Sequence, residues 1–238
     1  MRDGTHIALD IYHPAEEALS ALYAVAPYLK DEAELPAVPT FRWRETGPIE
    51  WYVERGHAYV LADTRGSGNS EGSWRFFDQH EQHDTYDTIE WIADQSWCTG
   101  KVGMIGESYY AIIQWLAAAQ DPPHLECIAP FDGLVDLYRD AVYHGGIMSS
   151  NFIATWPFTR RANHLLDQPE PLNAESMEYD LMNEVLTHRI DDAWYRRRSV
   201  VSQLEQICVP TYSIGTWEGL ECCFRGTTAG SRATRTVS

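Results

Sequence analysis

"KVGMIGESYYAIIQWLAAA", Lys101–Ala119, runs from a short apolar stretch through Gly-Glu-Ser-Tyr-Tyr into a helical stretch. A buried strand that turns sharply into a helix, with a serine at the apex, is the setting of a nucleophile elbow. The reversal crowds the backbone, so a small residue is needed two positions before the serine, and Gly106 supplies it. Ser108 would then expose its hydroxyl beyond the carboxyl edge of a sheet. It would sit beside a helix N-terminus whose backbone N–H groups can hold a developing oxyanion. The full motif also has glycine two after the serine, where this chain has Tyr110. On these residues alone, Ser108 is either a nucleophile or a serine capping a helix.

Outward from the elbow, strand and helix patterns alternate. "THIALDIY" (Thr5–Tyr12) alternates with Ile7, Leu9 and Ile11 on one face, and "ALYAVAPY" (Ala21–Tyr28) reads as a more central strand. "HAYVLAD" (His57–Asp63), "LECIAP" (Leu125–Pro130) and "CVPTYSI" (Cys208–Ile214) add further strands. From Glu81 to Asp94, Tyr86, Ile89, Ile92 and Ala93 recur at helical spacing, with the acids expected on the opposite, solvated face. Strands alternating with helices predict an α/β chain with a doubly wound, mostly parallel sheet. We expect residues 1–130 to form the first part of the core and 131–205 a helical cap insertion. Residues 206–221 would continue the core, with 222–238 a disordered tail.

The chain has 238 residues, 44% of them hydrophobic, enough for one large α/β core. Its net charge of −17 repels phosphate backbones and anionic lipid, so neither nucleic acid nor a membrane is an expected partner. No apolar run is long enough to span a bilayer, and Met1–Asp10 is not a signal peptide. The five cysteines, odd in number and without a C-x-x-C pair, argue for a reducing, cytoplasmic setting, with Cys98, Cys127 and Cys208 expected as buried thiols. Trp91, Trp97 and Trp115 are expected to pack in the core.

"GESYYAIIQW" resembles the G-x-S-Y-x-[GA]-x-x-Q-W segment of the cocaine esterase and Xaa-Pro dipeptidyl-peptidase family, the CocE/NonD group of α/β-hydrolases. Other stretches resemble that family in the same order: "MRDGTHIALDIYHP", "APYLKD", "YVLADTRGSGNSEG", "DTYDTIEWIADQSWCTGKVGMIG" and "PPHLECIAPFDGLVDLYRDAVYHGG". The match runs from about Met1 to Leu220. It implies an α/β-hydrolase fold and hydrolysis of a small-molecule ester or a peptide through an acyl-serine, with no metal or organic cofactor. Ser108 would be the nucleophile, and the Tyr109 backbone N–H and the Tyr28 hydroxyl the oxyanion donors. Without the resemblance, Tyr28 reads as a buried edge aromatic.

A serine nucleophile needs a base, and the base an orienting carboxylate, in the chain order Ser, acid, His. "VPTYSIGTWEGL" resembles the family's late strand and Gly-Trp-x-Asp-Gly turn, which puts the acid on Glu218. The tryptophan is displaced by one place, so a solvated loop acid is the competing reading. None of the nine histidines follows Glu218, and the family's C-terminal β-rich domain has no counterpart. After Glu221 the chain holds no acid and three arginines. This break is read as a reading frame lost near Glu221 in a C-terminally truncated hydrolase, inactive or impaired; the alternative is a catalytically dead fragment with at most a binding role.

Two other signals are weaker. "RGSGNSEG" fails as a dinucleotide turn because Glu71 stands where the third glycine belongs. His80 and His83 are i, i+3, not the i, i+4 of a helical zinc pair.

Overall fold

A computed structural model describes residues 1–14, 17–31, 45–166, 179–217 and 224–233. Its centre is a five-stranded sheet of β1 (Leu9–Tyr12), β2 (Leu19–Ala26), β3 (His57–Asp63), β4 (Cys98–Glu107) and β5 (Leu125–Phe131). The spatial order is β1-β3-β2-β4-β5, with β1 antiparallel to β3 and every other pairing parallel. Residues 210–214 extend it past β5. Thr211 and Ile214 bridge in parallel to Ile128 and Phe131, and the Tyr212 and Ile214 N–H groups donate to the Ile128 and Pro130 carbonyls. The central residues of β2 (Ala21–Ala26) and β3 (Ala58–Ala62) are apolar because helices and neighbouring segments cover their faces, as parallel sheets require.

Helices α1 (Ile49–Val53), α2 (Gln79–Ala93) and α3 (Tyr109–Ala118) follow the sheet crossovers. Helix α3 is buried along its whole length, with Trp115 and Ile113 wholly inside. Helix α2 starts where the Asp78 carboxylate accepts the Glu81 N–H at 3.0 Å. Its buried stripe is Glu81, Asp84, Thr85, Thr88, Ile89 and Ile92, so two acids expected on the wet face point inward. Asp84 does so because the Arg65 guanidinium grips it at 2.7 and 2.6 Å. Arg65 rides on the turn after β3, whose shape is set by the buried Asp63 carboxylate accepting the Lys30 and Asn69 N–H groups. Gly68 (φ +49) is required there, since a β-carbon would fall 2.1 Å from an Asp63 oxygen.

Between β5 and Thr211 lie a π-helical turn (Leu137–Val142), helices α4 (Ser150–Leu166), α5 (Leu181–Thr187) and α6 (Ala193–Arg196), and a short 3-10 turn. A short hairpin of two two-residue strands, Tyr143–His144 with Ile147–Met148, lies between the π-helical turn and α4.

Several expectations change. The segment expected as a disordered tail carries helix α7 (Phe224–Ala233). Its small residues let it approach closely: β-carbons on Gly226 and Gly230 would meet the Leu134 backbone at 2.5 Å and the Trp115 ring at 2.6 Å. Of the three cysteines expected inside, only Cys98 is buried; Cys127 and Cys208 are exposed, as is Trp91. Ile11 is also exposed, on the outermost strand. No described helix is long and apolar enough to cross a membrane.

Candidate active site

Ser108 sits between β4 and α3 with φ +59 and ψ −116, a backbone conformation that a β-carbon disfavours. Neighbouring elements hold the strained turn from both sides. The Ser108 N–H donates to the Phe131 carbonyl at 3.0 Å, and the Glu107 N–H to the Glu45 carbonyl at 2.7 Å. Gln114 fastens α3 to β5, its Nε2 donating to the Tyr110 carbonyl and its Oε1 accepting the Ala129 N–H, both at 2.9 Å.

Ser108 lines a narrow cleft with Tyr28, Phe76, Phe77, Tyr109, Leu137 and Trp156, further walled by aliphatic residues and Phe152. Tyrosine aside, no ionisable side chain is among the described residues of that lining. Tyr28 follows β2 and lies half-buried, its ring 6.0 Å from Tyr109, 5.8 Å from Tyr110 and 6.4 Å from Trp156. Tyr109, the first residue of α3, has a backbone N–H without an intrahelical acceptor. Its side chain is buried and stacks on Phe77 at 4.0 Å. The three residues read as nucleophile and oxyanion donors thus meet at one cleft, at the carboxyl ends of β2 and β4, where a doubly wound sheet builds its sites.

Glu218 lies outside the described residues. The chain just before it is fixed to the end of β5: the Thr216 N–H and hydroxyl donate to Asp132 at 2.7 and 2.9 Å. No histidine is among the described lining of the Ser108 cleft. His144 lines a separate, wider hollow with Tyr138, Arg139 and Arg225, and its Nε2 bonds the Asp140 carbonyl at 2.6 Å. Among the described residues, no three His, Cys, Asp or Glu side chains converge as a metal site requires.

The sequence reading missed the cleft's support. Glu81, wholly buried, accepts the Tyr109 hydroxyl at 2.7 Å and the Phe77 N–H at 2.8 Å. Burial pushes its pKa up to about 8. Arg198 donates to the Phe76 carbonyl at 2.9 Å and so ties the 75–77 loop to the segment following α6. The signal for Glu81 was available: it stands three residues after the helix-capping Asp78, the spacing of a capping box.

The model of the X-Pro dipeptidyl-peptidase (S15) family matches residues 3–229. The chain belongs to this family. Over 160 residues it is 38% identical to cocaine esterase from Rhodococcus sp. (strain MB1 Bresler), covering 66% of this chain and 26% of that protein. A CocE/NonD family hydrolase from Staphylococcus aureus superposes with a TM-score of 0.86 at 29% identity, over 98% of this chain and 42% of the other. An α-amino acid ester hydrolase shares the fold, with a TM-score of 0.70 at 20% identity over 98% of this chain and 44% of the other. The fold of this S15 chain is therefore that of the α/β-hydrolases. It spans between about a quarter and two fifths of the length of the curated relatives it matches.

Proposed function

We propose that this S15 chain carries the nucleophile and oxyanion side of a serine hydrolase that cleaves a neutral acyl ester. The observation that carries the reading is Ser108 at φ +59 on a strand-to-helix turn, opening into an apolar cleft. Ser108 Oγ would attack the acyl carbon, and the Tyr109 N–H and Tyr28 hydroxyl would stabilise the tetrahedral oxyanion before an acyl-serine forms. Glu218 is the candidate to orient a histidine, and residues 131–205 are the candidate cap. The aromatic and aliphatic lining favours an uncharged acyl group over the ammonium of an Xaa-Pro peptide, because no described carboxylate faces the cleft to pair with that charge.

A second reading has its own observation. With no histidine in the described lining, the proton of Ser108 has no identified acceptor there, and the chain would bind or be acylated without efficient turnover. In a serine hydrolase of another fold, losing the base costs on the order of a million-fold. The test is hydrolysis of p-nitrophenyl acetate and butyrate together with labelling by a fluorophosphonate, each against Ser108→Ala. Turnover and labelling that both vanish in Ser108→Ala support the hydrolase. Ser108-dependent labelling without turnover supports a nucleophile lacking its base. Labelling unchanged in Ser108→Ala removes Ser108 from the chemistry.

A further inference from the structure

Glu81 is a buried acid that the proposed reaction leaves unused. One of its oxygens accepts the Phe77 N–H at 2.8 Å. That half is ordinary, since a glutamate at the third position of a helix commonly reaches back to the chain entering it. The other half is not. Its second oxygen accepts the hydroxyl of Tyr109, the residue whose backbone N–H follows Ser108, and the Trp74 indole N–H donates to the same phenol oxygen at 3.1 Å. Phe76 and Phe77 both sit at positive φ, +53 and +57, and both line the Ser108 cleft. Two consecutive strained aromatic residues persist only where surrounding bonds over-determine them. One carboxyl group therefore spans from the cleft wall to the nucleophile turn.

We infer that Glu81 is a positioning residue for the Ser108 site, holding the Tyr109 backbone N–H in register with the Phe76–Phe77 wall. The structural part of this inference stands on those bonds; its catalytic meaning rests on the serine-hydrolase reading. The groups facing Glu81 are Asp78 and Asp84 from its own helix, Tyr109 from α3 and Tyr23 from β2. Arg65 and Asp63 line the same small void, but the Arg65 charge is bonded to Asp84 and Asp3. Burial, with Asp78 and Asp84 adding to it, lifts the Glu81 pKa to about 8, against the pull of the Tyr109 and Phe77 donors. When Glu81 takes a proton, the carboxylate charge is lost and one oxygen gains an O–H donor, which changes the hydrogen bond and the field at the Tyr109 hydroxyl. The amide beside Ser108 thus feels that protonation.

Ser108–Tyr109 is the only Ser–Tyr pair in the sequence. Labelling serine at the carbonyl carbon with 13C and tyrosine with 15N therefore isolates the Tyr109 amide as one NMR peak in the full chain. In the unmodified protein this peak should shift through a single titration near pH 8. Glu81→Gln, which copies the protonated form, should abolish that titration. Tyr109→Phe, with phenylalanine carrying the 15N label, should abolish it too without disturbing Glu81's bond to Phe77. The rate of fluorophosphonate capture by Ser108 should fall about ten- to hundredfold in Tyr109→Phe, measured at a temperature where the variant is still fully folded, since the lost bonds to Glu81 and Trp74 lower its melting temperature. A Tyr109 amide that ignores pH between 6 and 10, or one that titrates identically in Glu81→Gln or Tyr109→Phe, overturns the inference. The NMR outcome stands even if Ser108 proves unreactive, so failure of the hydrolase reading and failure of this one are told apart.

Discussion

A β-carbon on Gly106 would stand 2.5 Å from the β-carbon of Tyr110. The nucleophile-elbow motif has glycine at both positions, two before and two after the serine. Here Tyr110 is buried and full-sized, and Gly106 at φ +138 alone relieves the crowding. Gly106→Ala should therefore destabilise the chain by about 2–5 kcal/mol, from backbone strain and overpacking together. Tyr110→Gly added to it should recover the packing part only. Thermal melting of the single and double variants checks this; a Gly106→Ala melting within a degree of the unmodified chain contradicts it.

Tyr28 is the proposed side-chain donor to the oxyanion. Tyr28→Phe keeps the ring contacts with Tyr109, Tyr110 and Trp156 and removes only the hydroxyl. Capture of a fluorophosphonate by Ser108 should slow by about a hundredfold with the fold intact. An unchanged capture rate assigns the hydroxyl no part in the reaction.

The Arg65–Asp84 pair anchors the turn after β3 to helix α2 with two short bonds in a buried setting. Asp84→Ala leaves a buried guanidinium without its principal partner and should cost about 3–5 kcal/mol. Replacing both members by Met and Leu should restore most of that loss. Denaturant unfolding of the single and double variants separates a pair effect from a general intolerance of change at residue 84.

Stability should also depend on pH in a direction fixed by the buried acids. Glu81 in the folded chain titrates at about 8, against about 4.3 in an unfolded one. The folded state keeps a proton that the unfolded state has already released, so this contribution is complete below about pH 4.3 and lost as pH rises through 8. Asp63, raised by burial to about 6, acts in the same sense and is spent by that pH. The melting temperature should fall between pH 6 and 9, and fall less in Glu81→Gln. Parallel curves for the two proteins would show that Glu81 titrates alike in both states.

Helix α7 docks through glycine. Gly226→Val places side-chain atoms where the Leu134 and Val135 backbone already lies, and should release the helix without unfolding the sheet. Limited proteolysis should then cleave after residue 221 at least tenfold faster, about 1.4 kcal/mol of lost docking. Equal cleavage rates would mean that the helix is not held at this surface.

The elbow was legible because it is local. Strand, Gly106, Ser108 and helix are contiguous, and the conflict between side chain and backbone at such a turn is visible in residue types alone. The same holds for the alternation of strands and helices that brings Tyr28 and Ser108 to one sheet edge. The acids of α2 were misread for the opposite reason. Helical periodicity assigns polar residues to the wet face, whereas Arg65, 19 residues earlier, and Tyr109, 28 residues later, turn Asp84 and Glu81 inward. The tail was misread because composition counts large apolar side chains, while α7 packs through their absence at Gly226 and Gly230.

By itself, the sequence determined a mostly parallel sheet with a serine at its carboxyl edge, because periodicity and turn chemistry act over a few residues. Only the tertiary structure decided what surrounds that serine. An apolar cleft closed by Phe76, Phe77 and Trp156, and one buried carboxyl group joining its wall to Tyr109, depend on contacts between distant segments. Burial in that setting also sets the proton affinity of Glu81, which no local pattern encodes.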